Sequence, residues 1–236
     1  MDLQAIKSII ERAYSEGRNR LLEPEAKQIC KLAGLPVDDW HVAKTADEAV
    51  NYASRLGYPV VMKIVSPQVV HKSDVGGVML NLDSEEKVRA AYSEILKNVK
   101  AKVPEAEVKG ILVERMAPPG IETIVGALKD PQFGPTIMFG LGGIFVEVFR
   151  DVSFRVAPLT EADALSMIRE IKAYPVLAGA RGKPPADIGA LISTLVKTSQ
   201  LVVAIPEIRE LDFNPTIVYP SGARIVDARI ILEKRS

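Results

Sequence analysis

Apolar side chains near the start of the chain recur at spacings of three and four residues, which is typical of amphipathic helices. Leu3, Ile6 and Ile10 share one helical face, and a second helix runs from Pro24 to about Ala33. Proline suits the first turn of a helix because its missing N–H has no partner there. We expect these two helices to form a cap on the lobe that follows them in the sequence.

The next segment changes to a continuous apolar run, which predicts a buried strand over residues 59–65. Before it, Thr45 and Glu48 have the spacing of a capping box and predict the start of a helix. The other elements predicted here are the remainder of that helix to Leu56, a polar loop from Ser66 to Asp74, a strand over 78–82 and a helix from Asp83 to Val99.

From Gly110 onward, short apolar runs alternate with Pro/Gly turns, which favours an antiparallel sheet in a second lobe. The predicted strands cover 111–114, 121–128, 136–139, 144–149, 209–213, 216–219 and 224–232, and the predicted helices cover 161–172 and 187–204. This order indicates an α+β fold of two lobes, one over residues 1–104 with the helical cap and one over 105–236.

Composition narrows the class of protein. The chain has 236 residues, 47% of them hydrophobic, and its 30 basic and 30 acidic side chains cancel. A balanced charge gives no general attraction to nucleic acid or to an anionic membrane. The chain shows no secretory leader and no apolar stretch long enough to cross a membrane, so we expect a cytoplasmic protein. Cys30, the only cysteine, is expected to be a buried structural thiol.

The phosphate-binding motifs of P-loop and Rossmann proteins are absent from the sequence. A nucleotide could instead be clamped between two sheets, with a lysine on a strand to bind phosphate and a glycine loop to cover it. Lys63 is a candidate because it lies within the apolar run, and pairing with a structural carboxylate is the alternative explanation. Gly76 and Gly77 could admit phosphate to backbone N–H groups, and a simple hairpin turn explains them about as well.

Four carboxylates and one amide are candidates for the rest of such a site. Glu114 ends a strand and Glu122 begins the next, where backbone groups could hold adenine and a carboxylate could bind ribose. Asp212 and Asn214 lie in one strand, and Asp227 lies in the strand predicted to pair with it. Mg²⁺ needs few protein ligands, since phosphate and water complete its octahedron. An Asx turn at Asn214 and a surface aspartate are the structural alternative.

His71 lies in the polar loop, eight residues after Lys63. A histidine in a loop is usually solvated, but beside a phosphate-binding lysine a neutral imidazole could accept a phosphoryl group. The other histidine, His41, is expected to be structural.

Several segments in a fixed order resemble one family. They are Val61-Met62-Lys63 followed by the run from His71 to Val78, Glu114 with Glu122, the run from Phe139 to Glu147, and the run from Leu211 to Pro215 with Asp227. Together they resemble the ATP-grasp β-subunit of nucleoside-diphosphate-forming acyl-CoA synthetases, including ADP-forming acetyl-CoA synthetase and, more distantly, succinyl-CoA synthetase. The resemblance covers nearly the whole chain.

The resemblance implies an ATP-grasp fold that clamps ADP or ATP with Mg²⁺. It implies a nucleotide-binding set of Lys63, Lys72, Gly76, Gly77, Glu114, Arg115, Met116 and Glu122, a metal set of Asn214, Asp227 and Asp212, and His71 as catalytic phosphohistidine. In this family a histidine of the partner α-subunit carries the phosphoryl group, and His71 matches a β-side histidine that takes it up before ADP does.

The family resemblance also implies a partner. Longer single-chain relatives carry a CoA-binding domain and an acyl-CoA ligase domain, for which this chain has no room. The implied enzyme is therefore split, as an α₂β₂ assembly, and catalyses acyl-CoA + ADP + phosphate ⇌ acid + CoA + ATP. The acyl group and the preference for ADP over GDP are not readable from this subunit.

Two other functions remain open at this point. A free-standing ATP-grasp carboxylate–amine ligase would need a carboxylate pocket, for which Arg150 and Arg155 are the candidates. A non-catalytic nucleotide-binding subunit is the third possibility.

Overall fold

A computed structural model describes residues 1–143, 150–179, 182 and 184–235 of the chain. Within them the helices are α1 (Leu3–Ser15), α2 (Glu23–Leu32), α3 (Ala46–Leu56), α4 (Glu85–Lys102), α5 (Glu161–Glu170), α6 (Tyr174–Leu177) and α7 (Ile188–Ala204). The strands are β1 (Trp40–Ala43), β2 (Val60–Val65), β3 (Val78–Leu82), β4 (Gly110–Arg115), β5 (Ile121–Asp130), β6 (Gly134–Leu141), β7 (Val152–Val156), β8 (Ile208–Val218), β9 (Ala223–Ile225) and β10 (Arg229–Leu232).

The chain divides into two compact units. Unit 1 comprises residues 1–21, 25–37 and 119–236, and unit 2 comprises residues 22–24 and 38–118. None of the helices in the described ranges is both long and apolar enough to cross a membrane.

Unit 2 is built on a four-stranded antiparallel sheet with the strand order β1-β4-β2-β3. Helices α3 and α4 cover one face, and their apolar side chains form a core with Val60, Met62 and Ile64 of β2. Both helices begin at side-chain caps, since Thr45 accepts the Glu48 N–H and Ser84 accepts the Lys87 N–H.

Unit 1 contains a larger antiparallel sheet with the order β10-β8-β5-β6-β7, and β9 pairs with β8. Helices α5 and α7 pack on one face of it, over a core that includes Phe139 and Phe213. The first two helices join the same core through Ile6, Ile10 and Ile29.

The domain boundary differs from the one predicted at residues 104 and 105. Strand β4 pairs with β1 and β2 and so belongs to the first sheet, which moves the boundary to residues 118 and 119. The N-terminal helices do not cap the lobe that follows them, because their apolar faces are buried in the core of the second sheet. Periodicity specifies which helical face is buried but not which element covers it.

Most predicted elements are confirmed, whereas β7 and α6 were not predicted and the strands near the C-terminus differ in their limits. The predicted segments 209–213 and 216–219 form one continuous strand, β8. The segment predicted as one strand over 224–232 is interrupted at residues 226–228, where the Val226 N–H donates to the Pro215 carbonyl. This interruption contains Asp227. The strand predicted over 144–149 lies outside the described residues.

Candidate functional site

Lys63 lies on the face of the unit 2 sheet that is opposite the two helices. Its neighbours Met62 and Ile64 belong to the helix-covered core, and side chains alternate between faces along a strand. On the adjacent strand β4, Leu112 pairs directly with Lys63, and Glu114 pairs with Val61. Lys63 and Glu114 therefore project from the same face of the sheet, on neighbouring strands.

Four buried or half-buried charged groups form a cluster around Lys63. Its Nζ lies 2.7 Å from Glu23 Oε1 and 2.8 Å from Glu114 Oε1, and Lys72 Nζ lies 2.9 Å from Glu23 Oε2. Lys63 is only 4% exposed. Two ammonium groups and two carboxylates balance in charge, which offsets the cost of removing them from water. The structural carboxylate proposed as an alternative for Lys63 is thus present, and its role toward phosphate stays a prediction.

Glu23 is the member of this cluster that sequence reasoning missed. It is the first residue of α2 and precedes Pro24, so it resembles the ordinary acidic residue of a helix N-terminus. Its partner Lys63 lies 40 positions away. The one usable signal was the burial of Lys63 itself, because a lysine in an apolar strand requires a carboxylate from somewhere in the fold.

His71 and the glycine pair lie in one turn-rich loop between β2 and β3. His71 is exposed. The Gly76 N–H donates to the Ser73 carbonyl and the Gly77 N–H donates to the Lys72 carbonyl, so both donors offered to phosphate are used inside the loop. The glycines are required for packing, since a Cβ at Gly77 would lie 2.6 Å from Ile64 Cγ2. The loop that carries His71 and Lys72 is therefore compact and folded against β2.

Helix α4 also holds this loop, through two side-chain hydrogen bonds. Asn98 Nδ2 donates to the Gly76 carbonyl at 3.3 Å, and Lys102 Nζ donates to the Asp74 carbonyl at 2.7 Å. Gly76 has a φ of +67°, which most side chains avoid, and a Cβ there would lie 2.8 Å from Asn98 Nδ2. These bonds fix the backbone that follows His71.

The predicted adenine segment forms the end of β4. Arg115 is exposed and pairs with Val60, and the Met116 N–H donates to the Pro59 carbonyl at 2.9 Å. The Glu114 carboxylate is directed to Lys63. This segment is therefore a firmly paired strand end, and its contact with adenine remains a prediction.

The candidate metal ligands come together in unit 1. Asp212 and Asn214 lie on β8, and the Val226 N–H binds the Pro215 carbonyl at 3.0 Å, which brings Asp227 to the same strand. Among the described residues no group of three His, Cys, Asp or Glu side chains could hold a metal ion. An amide and two carboxylates nevertheless supply the oxygen ligands that Mg²⁺ prefers, and Mg²⁺ keeps several waters.

The surroundings of Asp212 disfavour its ionised form, as expected for a carboxylate that binds a cation. Burial raises the pKa of its carboxyl, and the charges of Asp227 and Glu210 raise it further, whereas Arg229 opposes the shift. Arg229 pairs directly with Asp212 across β10 and β8, and its Nη2 lies 3.5 Å from Glu210 Oε1. A bound cation would stabilise the ionised carboxylates, so the residues present fit Mg²⁺.

Replacing Asp212 with asparagine is expected to raise the melting temperature by about 1–3 °C at pH 7 without Mg²⁺. The raised pKa means that ionisation of Asp212 costs folding free energy above its ordinary value of 3.8. The gain should therefore vanish in acid, where the carboxyl is protonated in both states. Thermal unfolding at several pH values measures the effect.

The control for this prediction is Asp83→Asn. The hydrogen bond from Lys87 lowers the pKa of Asp83, which means that folding favours the ionised carboxylate. The Asp83→Asn protein should therefore be as stable as wild type or slightly less stable. An Asp212→Asn protein less stable than wild type at pH 7 would show that the carboxylate is satisfied without a metal.

Two further predicted residues have clear positions. Glu122 is exposed at the start of β5, and its carbonyl accepts the Gly142 N–H at 2.7 Å. Arg155, a candidate for a carboxylate pocket, instead binds Glu170 and Ser166 of α5. Farther along the chain, Asp187 caps α7 by accepting the Ala190 N–H.

Comparison with known proteins matches this chain to ATP-grasp proteins over most of its length. The model of the ATP-grasp domain matches residues 12–232. The beta subunit of acetate–CoA ligase (ADP-forming) I from Pyrococcus furiosus is 55% identical over 226 residues, covering 96% of this chain and 97% of that one.

Two solved structures of the dinucleotide-forming acetyl-coenzyme A synthetase 1 from Ca. Korarchaeum cryptofilum are also similar. The complex with coenzyme A, Ca-AMPCP and HgCl⁺ has a TM-score of 0.94 and 58% identity, covering 96% of this chain and 99% of that one. The complex with coenzyme A and Mg-AMPPCP, whose phosphohistidine segment points towards the nucleotide binding site, has a TM-score of 0.86 and 54% identity, covering 97% and 100%.

The match of the family model to residues 12–232, in a chain that folds into two antiparallel sheets, defines the class: the chain belongs to the ATP-grasp family. Within that family it falls among the β-subunits of ADP-forming acetate–CoA ligases, which it matches over nearly its whole length. The predicted fold class is therefore confirmed.

Proposed function

We propose that this chain is the nucleotide-binding subunit of an ADP-forming acyl-CoA synthetase, with acetyl-CoA as the first acyl-CoA to test. The overall reaction is acyl-CoA + ADP + phosphate ⇌ acid + CoA + ATP. The observation that carries the proposal is the match, over 96% of this chain, to a β-subunit of such an enzyme.

Each group has a definite task in this reaction. Asp212, Asn214 and Asp227 hold Mg²⁺, which neutralises phosphate charge when it is bound. Lys63 and Lys72 bind phosphate oxygens, with Glu23 and Glu114 holding the two ammonium groups in place. Gly76 and Gly77 fix the turn, Glu114 to Met116 contact the adenine, and Glu122 binds the ribose.

His71 accepts the phosphoryl group and passes it on. An imidazole nitrogen of His71 attacks the phosphorus of the partner's phosphohistidine, the partner's P–N bond breaks, and the proton that the His71 ring loses is matched by one that the partner's imidazole gains. A terminal oxygen of ADP then attacks the same phosphorus, the P–N bond at His71 breaks, and the released His71 ring takes up a proton from solvent to become neutral imidazole as ATP forms. The exposed position of His71 supports this task, since a donor from another chain needs access to it.

The partner in this proposal is an α-subunit that carries the CoA-binding and acyl-CoA ligase domains. We propose an α₂β₂ assembly, in the cytoplasm where ADP and CoA are available. The name of the Pyrococcus relative as a beta subunit supports a second type of subunit. The carboxylate–amine ligase alternative loses one of its two candidate arginines, since Arg155 is bound to Glu170.

The half-reaction tests this function directly. The α-subunit is first labelled by incubation with acetyl-CoA and radioactive phosphate, and then mixed with Mg-ADP. We expect labelled ATP only when this chain is present, and a rate lower by about 10²-fold or more with Asn214→Ala combined with Asp227→Ala.

Two controls complete the test. Glu161→Gln changes an exposed carboxylate at the start of α5 in the same unit and should leave ATP formation within about twofold of wild type. ATP formation that does not require the wild-type chain would refute the proposed function.

A further inference from the structure

Two arginine side chains lie beside the candidate metal ligands of unit 1. Arg229 of β10 pairs directly with Asp212 of β8. Arg20 lies in the segment between α1 and α2 and forms an isolated bridge to Ile231, two positions further along β10. Directly paired residues of antiparallel strands share a face of the sheet, as do residues two apart on one strand. Arg20, Arg229 and Asp212 therefore project from the same face.

This face is opposite helices α5 and α7. Leu211 and Phe213, the neighbours of Asp212 along β8, belong to the core beneath those helices. Side chains alternate between the two faces of a strand, so Asp212 and its partner Arg229 project away from that core. The side chain of Arg229 is 36% exposed, and a ligand on this face can therefore reach its guanidinium.

Arg20 has no carboxylate in contact with it in the described part of the chain. Its Nε is buried without a hydrogen-bond partner there, and its guanidinium takes part in none of the ion pairs of the described residues. By contrast, Arg18 donates two hydrogen bonds of 2.9 Å to the Glu25 carboxylate. Burial lowers the pKa of Arg20 and the charge of Arg229 lowers it further, whereas Glu210 opposes the shift. A partly buried guanidinium beside a like charge is stabilised when an anion joins it.

Arg229 also has unused hydrogen-bond donors. Its Nε is buried without a partner among the described residues, and its one ion pair with them joins Nη2 to Glu210 Oε1 at 3.5 Å. Asp212 lies beside Arg229 as well, but in the proposed function the charge of Asp212 is used by Mg²⁺. The two guanidiniums then share Glu210 alone, which leaves one positive charge and several N–H donors for an anion.

We infer that Arg20 and Arg229, the arginine pair, bind the terminal phosphoryl group of ATP, which is the group that is transferred. The inference rests on the proposed function, which places the phosphates beside Asp212, Asn214 and Asp227. The planar fork of N–H donors on a guanidinium matches the oxygens of a phosphoryl group in geometry and in charge.

The charges of the candidate site indicate which phosphate the arginine pair binds. Lys63 and Lys72, the other cations proposed for phosphate, are already paired with Glu23 and Glu114. Mg²⁺ bridges the β- and γ-phosphates in phosphoryl transfer, so cations beside its ligands lie at the terminal end of the nucleotide. The three oxygens of the group in transfer carry the charge that uncompensated guanidiniums stabilise. Both guanidiniums keep their protons, and no bond to them forms or breaks.

Calorimetry with Mg-ADP and Mg-ATP tests the inference on the purified chain. In Arg20→Met the affinity for Mg-ATP should fall about tenfold or more, whereas the affinity for Mg-ADP should change less than about twofold. Arg229→Met should show the same selective loss, and Arg20→Lys, which keeps the charge, should lose less than Arg20→Met. Arg12→Met is the matched control, because Arg12 is a 60% exposed guanidinium of the same unit, and it should leave both affinities unchanged.

The melting temperature separates ligand binding from a structural role. Because Arg20 has no carboxylate in contact, Arg20→Met without nucleotide should unfold at the temperature of wild type or above it. A lower melting temperature together with equal losses of affinity for the two nucleotides would show that Arg20 supports the fold, which overturns the inference. Unchanged affinity for Mg-ATP in Arg20→Met overturns it as well.

The arginine pair and the proposed function fail in different ways. With the labelled α-subunit and Mg-ADP, Arg20→Met should form labelled ATP about tenfold more slowly than wild type or slower still. If both form it at the same rate, the function stands and the role of the arginine pair is wrong. If wild type forms no labelled ATP while Arg20→Met still loses affinity for Mg-ATP alone, the function is wrong and the arginine pair remains a site for the terminal phosphate.

Discussion

Replacing Lys63 with methionine is expected to lower the free energy of unfolding by about 3–5 kcal/mol, because it removes the buried ammonium group that pairs with both Glu23 and Glu114. The same change should weaken Mg-ADP binding about tenfold or more if Lys63 binds phosphate. Chemical denaturation measures the first effect and calorimetry measures the second.

A double variant separates the structural role of Lys63 from its role toward the nucleotide. Adding Glu114→Gln to Lys63→Met leaves Glu23 paired with Lys72, so most of the lost stability should return. Nucleotide affinity should stay low. If affinity returns together with stability, Lys63 acts only within the ion cluster. Lys87→Met, which breaks an exposed pair with Asp83, is the control and should cost less than about 1 kcal/mol.

Replacing His71 with alanine is expected to reduce full turnover with the partner subunit by on the order of 10³-fold or more. Incubation of wild type with γ-labelled ATP and Mg²⁺ should give acid-labile, base-stable label on the chain, and the variant should give none. Because His71 is exposed and lies outside the Lys63 cluster, Mg-ADP affinity should change less than twofold.

His41→Gln is the matched control for this experiment, since His41 is the other histidine of the chain and stacks on Tyr52 at 4.3 Å. The His41→Gln chain should still be labelled by γ-labelled ATP. Equal turnover in wild type and His71→Ala would mean that the phosphoryl group passes to ADP without His71.

Much of the fold was predictable from helix caps, apolar runs and turn residues, because each of these determines the structure of residues close to it in the sequence. The capping residue Thr45, the apolar run that became β2 and the glycines at 76 and 77 all specify structure within a few positions. The packing of α1 and α2 could not be predicted in the same way. An amphipathic helix must bury its apolar face, but several sheets of similar hydrophobicity can cover it.

In the candidate site too, local signals were predictable from the sequence and long-range contacts were not. Asp212, Asn214 and Asp227 were predicted from their place in two adjacent segments, and the structure brings them to one strand region. Glu23 was missed because its contact with Lys63 spans 40 residues and its own surroundings resemble a common helix start. The exposure of Phe154 was also unpredictable, since alternation along β7 gives two faces without saying which one is covered.

The ion cluster of Lys63, Lys72, Glu23 and Glu114 has a thermal consequence. The cost of stripping water from charged groups falls as temperature rises, because their hydration is entropically unfavourable. A cluster that contributes little near 25 °C therefore becomes a larger share of stability in hot solution. Unit 2 consists of four strands and two helices and has a small apolar core, and the ion cluster lies on its sheet. The stability of unit 2 at high temperature should therefore depend on these charges as well as on the apolar core.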